Sequence, residues 1–357
     1  MKNLRLCFRL YALCVLLLLC CCDSVREPVK AGFLYLNTVG DVGWTFSHEQ
    51  ARQQLIKDDC ISAAPYLELV VPFDNDSVAA SLEQLVQQDC DIIFSTSFDF
   101  MDQTGEVAQA HQDVCFMHCA GYKTAENMGN YFGRMYQADY LIGLMAGEVS
   151  RSGSVGYVAP VRIPEVYRGI NAFTLGVREQ NPHARVYLAW VGDWYDPPEA
   201  SRLAEELVAA GVDVLAHGQD SPAVNQVAEK HAVPSFGYNT DMYAYAPNSH
   251  LTAAVWNWAV FYSHYCKMVY DGQWQPEEAW WGFERDAVRL APFSSLVPED
   301  LAGLVEGRIG ALKEAEHSVF TGPIYDNEGL LQYSEDEHAT DEELLGMDYL
   351  VQGITEL

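Results

Sequence analysis

The residues most suited to chemistry lie in short glycine-bearing stretches that mix acids with aromatics. The first reads Asn37-Thr38-Val39-Gly40-Asp41-Val42-Gly43-Trp44-Thr45-Phe46-Ser47-His48. Asp41 there can accept from a ligand N–H or hydroxyl. Trp44, at the start of a helical stretch with Thr45 beside it, can stack on a flat ligand or roof its own helix. Ser95-Thr96-Ser97-Phe98-Asp99-Phe100-Met101 offers small hydroxyls, Ser97 next to Phe98, that either bond a ligand or cap a helix. The second half repeats the pattern in Gly192-Asp193-Trp194-Tyr195-Asp196-Pro197, in His217-Gly218-Gln219-Asp220-Ser221-Pro222, in Gly237-Tyr238-Asn239-Thr240-Asp241-Met242 and in Ala254-Val255-Trp256-Asn257-Trp258. Such a set suits a planar heterocycle. Aromatic faces stack on a ring for about 1–3 kcal/mol per base, carboxylates accept ring or exocyclic N–H groups, and asparagine can engage an adenine edge through two bonds. A hexose site draws on the same residue types, so composition leaves the ligand open.

These stretches fall at the ends of predicted strands. From Lys30 onward, apolar runs of strand length alternate with helical segments. Strands are expected at 31–36, 67–71, 91–94 and 114–118, with helices between them and a longer helix over 131–149. The cycle restarts with strands at 154–158, 186–191, 212–216 and 233–236, with helices over 164–180, 198–209, 222–231 and 257–270. Repeated βα units imply parallel sheets with helices on both faces. Two runs of such units imply two such lobes. The reading divides the chain into a first lobe over 31–150, a second over 151–252, and return segments over 253–357 that complete both lobes and the hinge. The crossings are expected at Arg151-Ser152-Gly153 and near His250–Ala254. Ligands of such sheets bind beyond the carboxyl ends of the strands, where the acid- and aromatic-bearing stretches lie.

Composition narrows the function. Asp plus Glu number 50 against 21 Lys plus Arg, a formal charge of −29, with no basic patch for a nucleic acid polymer. The acidity itself reads as a solvated surface. No glycine-rich phosphate cradle, no H-E-x-x-H, no paired zinc-ligand spacing and no G-x-S-x-G occurs, so no cofactor, metal or nucleophile is implied and an enzyme is not expected. Residues 1–22 read as an export signal: Lys2, Arg5 and Arg9 precede the apolar run Leu10–Leu19, which is short beside the about 20 residues of a membrane span. The run ends in Cys20, Cys21 and Cys22, resembling a bacterial lipobox with Cys21 or Cys22 as the acylated residue, and 23–30 would form a tether. The cysteines that remain, at 60, 90, 115, 119 and 266, are odd in number and read as buried thiols.

Several ordered blocks resemble the basic membrane protein family of substrate-binding lipoproteins of ABC importers, which includes purine-nucleoside receptors. They are Gly40–His48, Thr96–Asp102, Gly121–Asn127, Ile163–Phe173, Gln219–Pro222, Gly237–Met242 and Glu343–Asp348. The resemblance implies the type I periplasmic binding-protein fold, two Rossmann-like lobes joined by three hinge strands, with permease and ATPase subunits as partners and a lipid anchor in the membrane. It implies an acid and an aromatic of the first loop on the base, here Asp41 and Trp44, and Trp194 or Tyr195 as the aromatic of the second lobe. It also implies an Asp and a Lys on the ribose. Asp241 matches the Asp, but Thr252–Trp258 carries no Lys and has Trp256 there instead. That departure implies a free purine base, adenine in particular. A receptor for nucleosides or a sugar is the alternative reading, and an exported nucleoside hydrolase is a further one.

Overall fold

In the computed structural model, which describes residues 27–314 and 318–357, two seven-stranded sheets form the framework on which the helices pack. The export segment, Cys21, Cys22 and the start of the tether lie outside the described residues. No helix among those residues is long and apolar enough to cross a membrane.

The chain begins with β1 (Val29–Leu36), α1 (Trp44–Leu55), β2 (Ile61–Ala63), β3 (Tyr66–Leu69), α2 (Asn75–Val86), β4 (Ile92–Ser95), α3 (Met101–Ala110), β5 (Cys115–Cys119) and β6 (Met128–Gly133). After β6 come α4 (Tyr136–Val149), β7 (Ser154–Ala159), α5 (Pro164–Gln180), β8 (Arg185–Trp190), α6 (Pro197–Ala209), β9 (Val214–His217), α7 (Ala223–His231), β10 (Ser235–Asn239) and β11 (His250–Trp256). The return contains α8 (Ala259–Asp271), β12 (Glu278–Trp281), β13 (Val288–Leu290), α9 (Glu299–Lys313), β14 (Ile324–Tyr325), β15 (Leu331–Tyr333), α10 (Asp341–Leu345) and β16 (Ile354–Glu356). The first sheet runs β12-β6-β5-β4-β1-β2, with β3 also on β1, and all its pairings are parallel. The second runs β13-β11-β10-β9-β7-β8-β16 and is parallel except for the β11–β13 edge. Strands such as β4 and β9 are buried on both faces, as continuous apolar runs in a covered parallel sheet must be. The architecture is the expected two-lobed α/β fold.

The crossings differ from the expectation. Residues 131–133 belong to β6, so the long helix begins only at Tyr136. That helix, α4, packs along α5 and against β11 and β13, inside the second lobe. Small residues allow this: a Cβ on Gly143 would lie 2.1 Å from the Phe173 carbonyl, and one on Gly176 would lie 2.2 Å from that of Tyr140. The first crossing is therefore at Arg134-Met135 and not at 151–153. The expected boundary at 252 falls within β11, a strand of the second sheet. The chain returns to the first lobe at Asn257-Trp258, since α8 packs on α1 and β1. A third crossing, 282–287, joins β12 to β13.

Side chains stitch the three crossings together. Asn257 donates from its amide to the Asp286 carbonyl at 2.7 Å, and its backbone N–H donates to Ala287 at 3.0 Å. Gln137 accepts from the Phe283 N–H at 2.9 Å. The Arg134 N–H donates to the Trp281 carbonyl at 2.8 Å. The hinge is thus one hydrogen-bonded unit rather than three separate threads.

Candidate functional site

The carboxyl ends of both sheets open onto a cleft of about 970 Å³ between the lobes, the position that strand topology favours for a ligand. The first lobe contributes Trp44 after β1, Ser97, Phe98 and Asp99 after β4, and Tyr122 after β5. The second contributes Glu165 after β7, Asp193, Trp194 and Tyr195 after β8, Asp220 after β9, and Tyr238 and Asn239 at the end of β10. Trp280 of β12 and Asp341 of α10 complete the wall.

Local structure fixes these groups. Thr45 does not face the ligand space: it is buried, and its hydroxyl donates to the Leu36 carbonyl, pinning the first turn of α1 to the end of β1. Trp44 donates its indole N–H to the Thr96 carbonyl at 2.8 Å. Behind it stands a pile of rings in which Trp256 stacks on Trp258 at 4.5 Å and Trp258 on His48 at 4.5 Å. Trp44 meets Trp256 and Trp258 edge-on. The arrangement holds one indole rigidly at the cleft, which lowers the entropy lost on stacking. Ser97 lines the cleft and caps the turn at 98–100 by accepting from the Asp99 N–H. In the second lobe, Asp196 caps α6 ahead of Pro197, and that cap sets the loop bearing Trp194 and Tyr195. Phe98, Tyr122 and Tyr195 remain half or more exposed at the mouth, a surface that lobe closure can cover.

Besides Thr45, three expected ligand groups face elsewhere. Trp256 lies behind the wall, donating to Asn239 at 2.7 Å, while Asn239 donates to Asp220 at 2.6 Å. It therefore buttresses two cleft residues without entering the ligand space. Asn257 serves the hinge. Asp241 turns toward buried His250, 3.4 Å away, and accepts from the Tyr243 N–H at 3.0 Å. Asp41 ends the short turn Val39–Asp41 at the edge of the first loop. Its neighbours bridge the lobes: the Thr240 hydroxyl donates to the Val42 carbonyl at 2.5 Å. A Cβ on Gly43 would lie 2.5 Å from the Asp220 carbonyl, so the lobes already touch there.

The charges of the cleft are mostly negative. Asp99, Glu165, Asp193, Asp220, Glu278 and Asp341 line it, with Arg168 as the one lining cation among the described residues. Sequence reading passed over Glu165 and Arg168, although both lie in the Ile163–Phe173 block at the start of α5. Arg168 is buried, donates to the Leu344 carbonyl at 2.6 Å and lies 5.0 Å over the Trp280 ring. Burial raises the Glu165 carboxyl to about 7, with Arg168 opposing the shift. Asp139, on the first turn of α4, is pushed up to about 8 by burial and then by Glu165. A strand-end loop opening onto a helix with an acid and an arginine one turn apart was the available signal for Glu165 and Arg168. Asp139 offered none, because only packing brings it there.

The comparisons agree with this architecture. Residues 28–308 match the family model described as ABC transporter substrate-binding protein, PnrA-like. A purine-binding protein of Brucella abortus is 38% identical over 331 residues, covering 92% of this chain and 93% of its own. A Haloferax volcanii protein named for glucose binding in an ABC transporter is 36% identical, over 85% of this chain and 77% of its own. A solved ABC transporter solute-binding protein from Conexibacter woesei aligns with a TM-score of 0.70 at 20% identity, over 81% of this chain and 97% of its own, which speaks to the fold alone. With a two-lobed fold, an interlobe cleft and a family match across most of its length, the chain belongs to the PnrA-like substrate-binding proteins of ABC transporters, extracytoplasmic solute receptors and not enzymes.

Proposed function

We propose that this receptor captures a purine base, adenine first, and hands it to an ABC permease. The observation that carries the reading is that aromatics of both lobes line one cleft, Trp44 and Phe98 from the first and Trp194 and Tyr195 from the second, in a chain 38% identical to a purine-binding relative. Stacking on those rings is worth about 1–3 kcal/mol per base. The acidic lining disfavours phosphorylated ligands and suits a neutral, N–H-rich base. Free base is preferred to nucleoside because neither group expected on ribose is available: the Lys is missing and Asp241 faces His250. Ligand bound to both lobes stabilises the closed state, and closure about the stitched crossings presents a docking form to the permease. Acylation of Cys21 or Cys22 tethers the receptor to the outer face of the cell membrane.

A hexose is the second reading, favoured by the glucose-named relative. Isothermal titration of the mature domain with adenine, adenosine and D-glucose separates them. Adenine binding well ahead of the others supports the proposal. Adenosine binding as tightly as adenine refutes the free-base reading, and D-glucose alone replaces it with a sugar receptor. Metabolic labelling with palmitate, lost only when both Cys21 and Cys22 are replaced by Ser, tests the anchor.

A further inference from the structure

Behind the cleft floor lies a second, much smaller space of about 20 Å³. Phe132, Glu165, Arg168, Trp194 and Tyr238 wall both spaces, so the two lie side by side. Asp139, Tyr157 and Gly169 line the small space and not the large one. The volume suits one heavy atom with its hydrogens. We propose that this nook is a subsite for a single hydrogen-bond-donating group of the ligand, an amino or a hydroxyl that reaches through the cleft floor.

The argument begins with an unmatched acceptor. Asp139 is only 3% exposed, and its Oδ1 has no hydrogen-bond partner. The other oxygen faces Gly169, where a Cβ would come within 2.8 Å of Oδ2. A side chain on residue 169 would therefore crowd the carboxyl. A buried acceptor left alone costs its desolvation, and native structures rarely leave one without a role. The cation of the nook does not resolve it, because Arg168 is engaged with the Leu344 carbonyl and the Trp280 ring. Glu165 adds a second acceptor on the cleft side. Burial raises both carboxyls, as expected of acids that lack a donor. A carboxyl that holds its proton still accepts through its carbonyl oxygen, so two carboxyls around one atom's volume favour a donor. Asp139 also lies on the first turn of α4, immediately after the first crossing, so a group bonded there touches the hinge directly.

This inference rests on the purine reading for its probes, and the probe set keeps the two separable. Wild type, Asp139→Leu and Glu165→Leu, which remove the acceptor oxygens, are titrated calorimetrically with adenine, unsubstituted purine, hypoxanthine, adenosine and D-glucose. Expected in wild type is adenine at least about tenfold tighter than purine or hypoxanthine. Asp139→Leu should erase most of that ratio by weakening adenine about tenfold while moving purine less than twofold, with Glu165→Leu acting in the same direction. Selective weakening of adenosine or D-glucose instead, with adenine unaffected, identifies the donor as a hydroxyl; the nook then stands and the free-base reading falls. Equal loss for every ligand makes Asp139 structural and overturns the proposal. So does any outcome in which no donor-bearing probe is distinguished from purine.

Discussion

Asp139→Asn offers the sharpest test of how the cleft floor is built, through stability rather than binding. The folded carboxyl sits near 8 against an ordinary value of 3.8, because burial penalises its charge and Glu165 adds to it. The groups around it are Glu165, Arg168, Tyr157 and Tyr238. Between these two values the folded protein holds a proton that the unfolded chain has released. The acid's contribution is therefore complete below about pH 4 and is lost as pH rises through about 8. Within that window the loss approaches about 1.4 kcal/mol per pH unit, or about 3 kcal/mol between pH 5 and pH 7. Asparagine does not titrate, so whatever constant penalty it carries, its stability relative to wild type should improve by that amount over the same interval. Urea unfolding of both proteins without ligand, followed by tryptophan fluorescence at pH 5, 6 and 7, reads this difference directly. A difference that stays flat with pH would mean that the folded carboxyl ionises like a solvated one, and the picture of a dry, unpartnered acid would fail.

Other perturbations address the rest of the cleft. Trp44→Ala should weaken adenine by about 1–3 kcal/mol in a titration while the far-ultraviolet circular dichroism is retained; unchanged affinity removes Trp44 from the ligand. Gly43→Ala places a methyl against the Asp220 carbonyl, so it should hinder lobe closure by about 1–3 kcal/mol. Solution scattering would then show a ligand-saturated particle wider than wild type, and an identical radius of gyration sinks the contact. Asn257→Ala removes the bond between two crossings and should cost about 1 kcal/mol of stability. It should change ligand affinity without touching the ligand, and loss of all binding with stability intact would return Asn257 to the cleft. Finally, a chain with formal charge −29 repels itself. Raising sodium chloride from about 0.05 to about 0.5 M should lift the melting temperature by a few degrees, and a falling temperature contradicts that account.

Much of this protein could be read from the chain because its information is local. A strand buried on both faces announces itself as an apolar run, and a helix with one buried face as a period near 3.6. The stretch 164–180 was legible to the residue: Pro164 marks its first turn, and Ile170, Phe173 and Val177 form its buried face. Loops at strand ends were legible too, and Trp44, Ser97, Phe98, Trp194, Tyr195, Asp220 and Asn239 do meet in one cleft. Reading failed where two local patterns ran together or where direction mattered. β6 passes into α4 across only Arg134-Met135, so a strand and a helix read as one helix, and the crossing was placed too late. Trp256 ends β11 near the cleft, yet only packing decides that its ring supports Asn239 from behind. Asp241 follows a strand end like its neighbours, yet the turn at 241–245 aims it at His250. Asp139 meets Glu165 because α4 and α5 touch backbone to backbone at their glycines. Periodicity is a property of a few consecutive residues. The lobe a helix joins, the face a side chain presents and the partner it lacks are set by residues far apart in sequence, and only the tertiary structure could decide them.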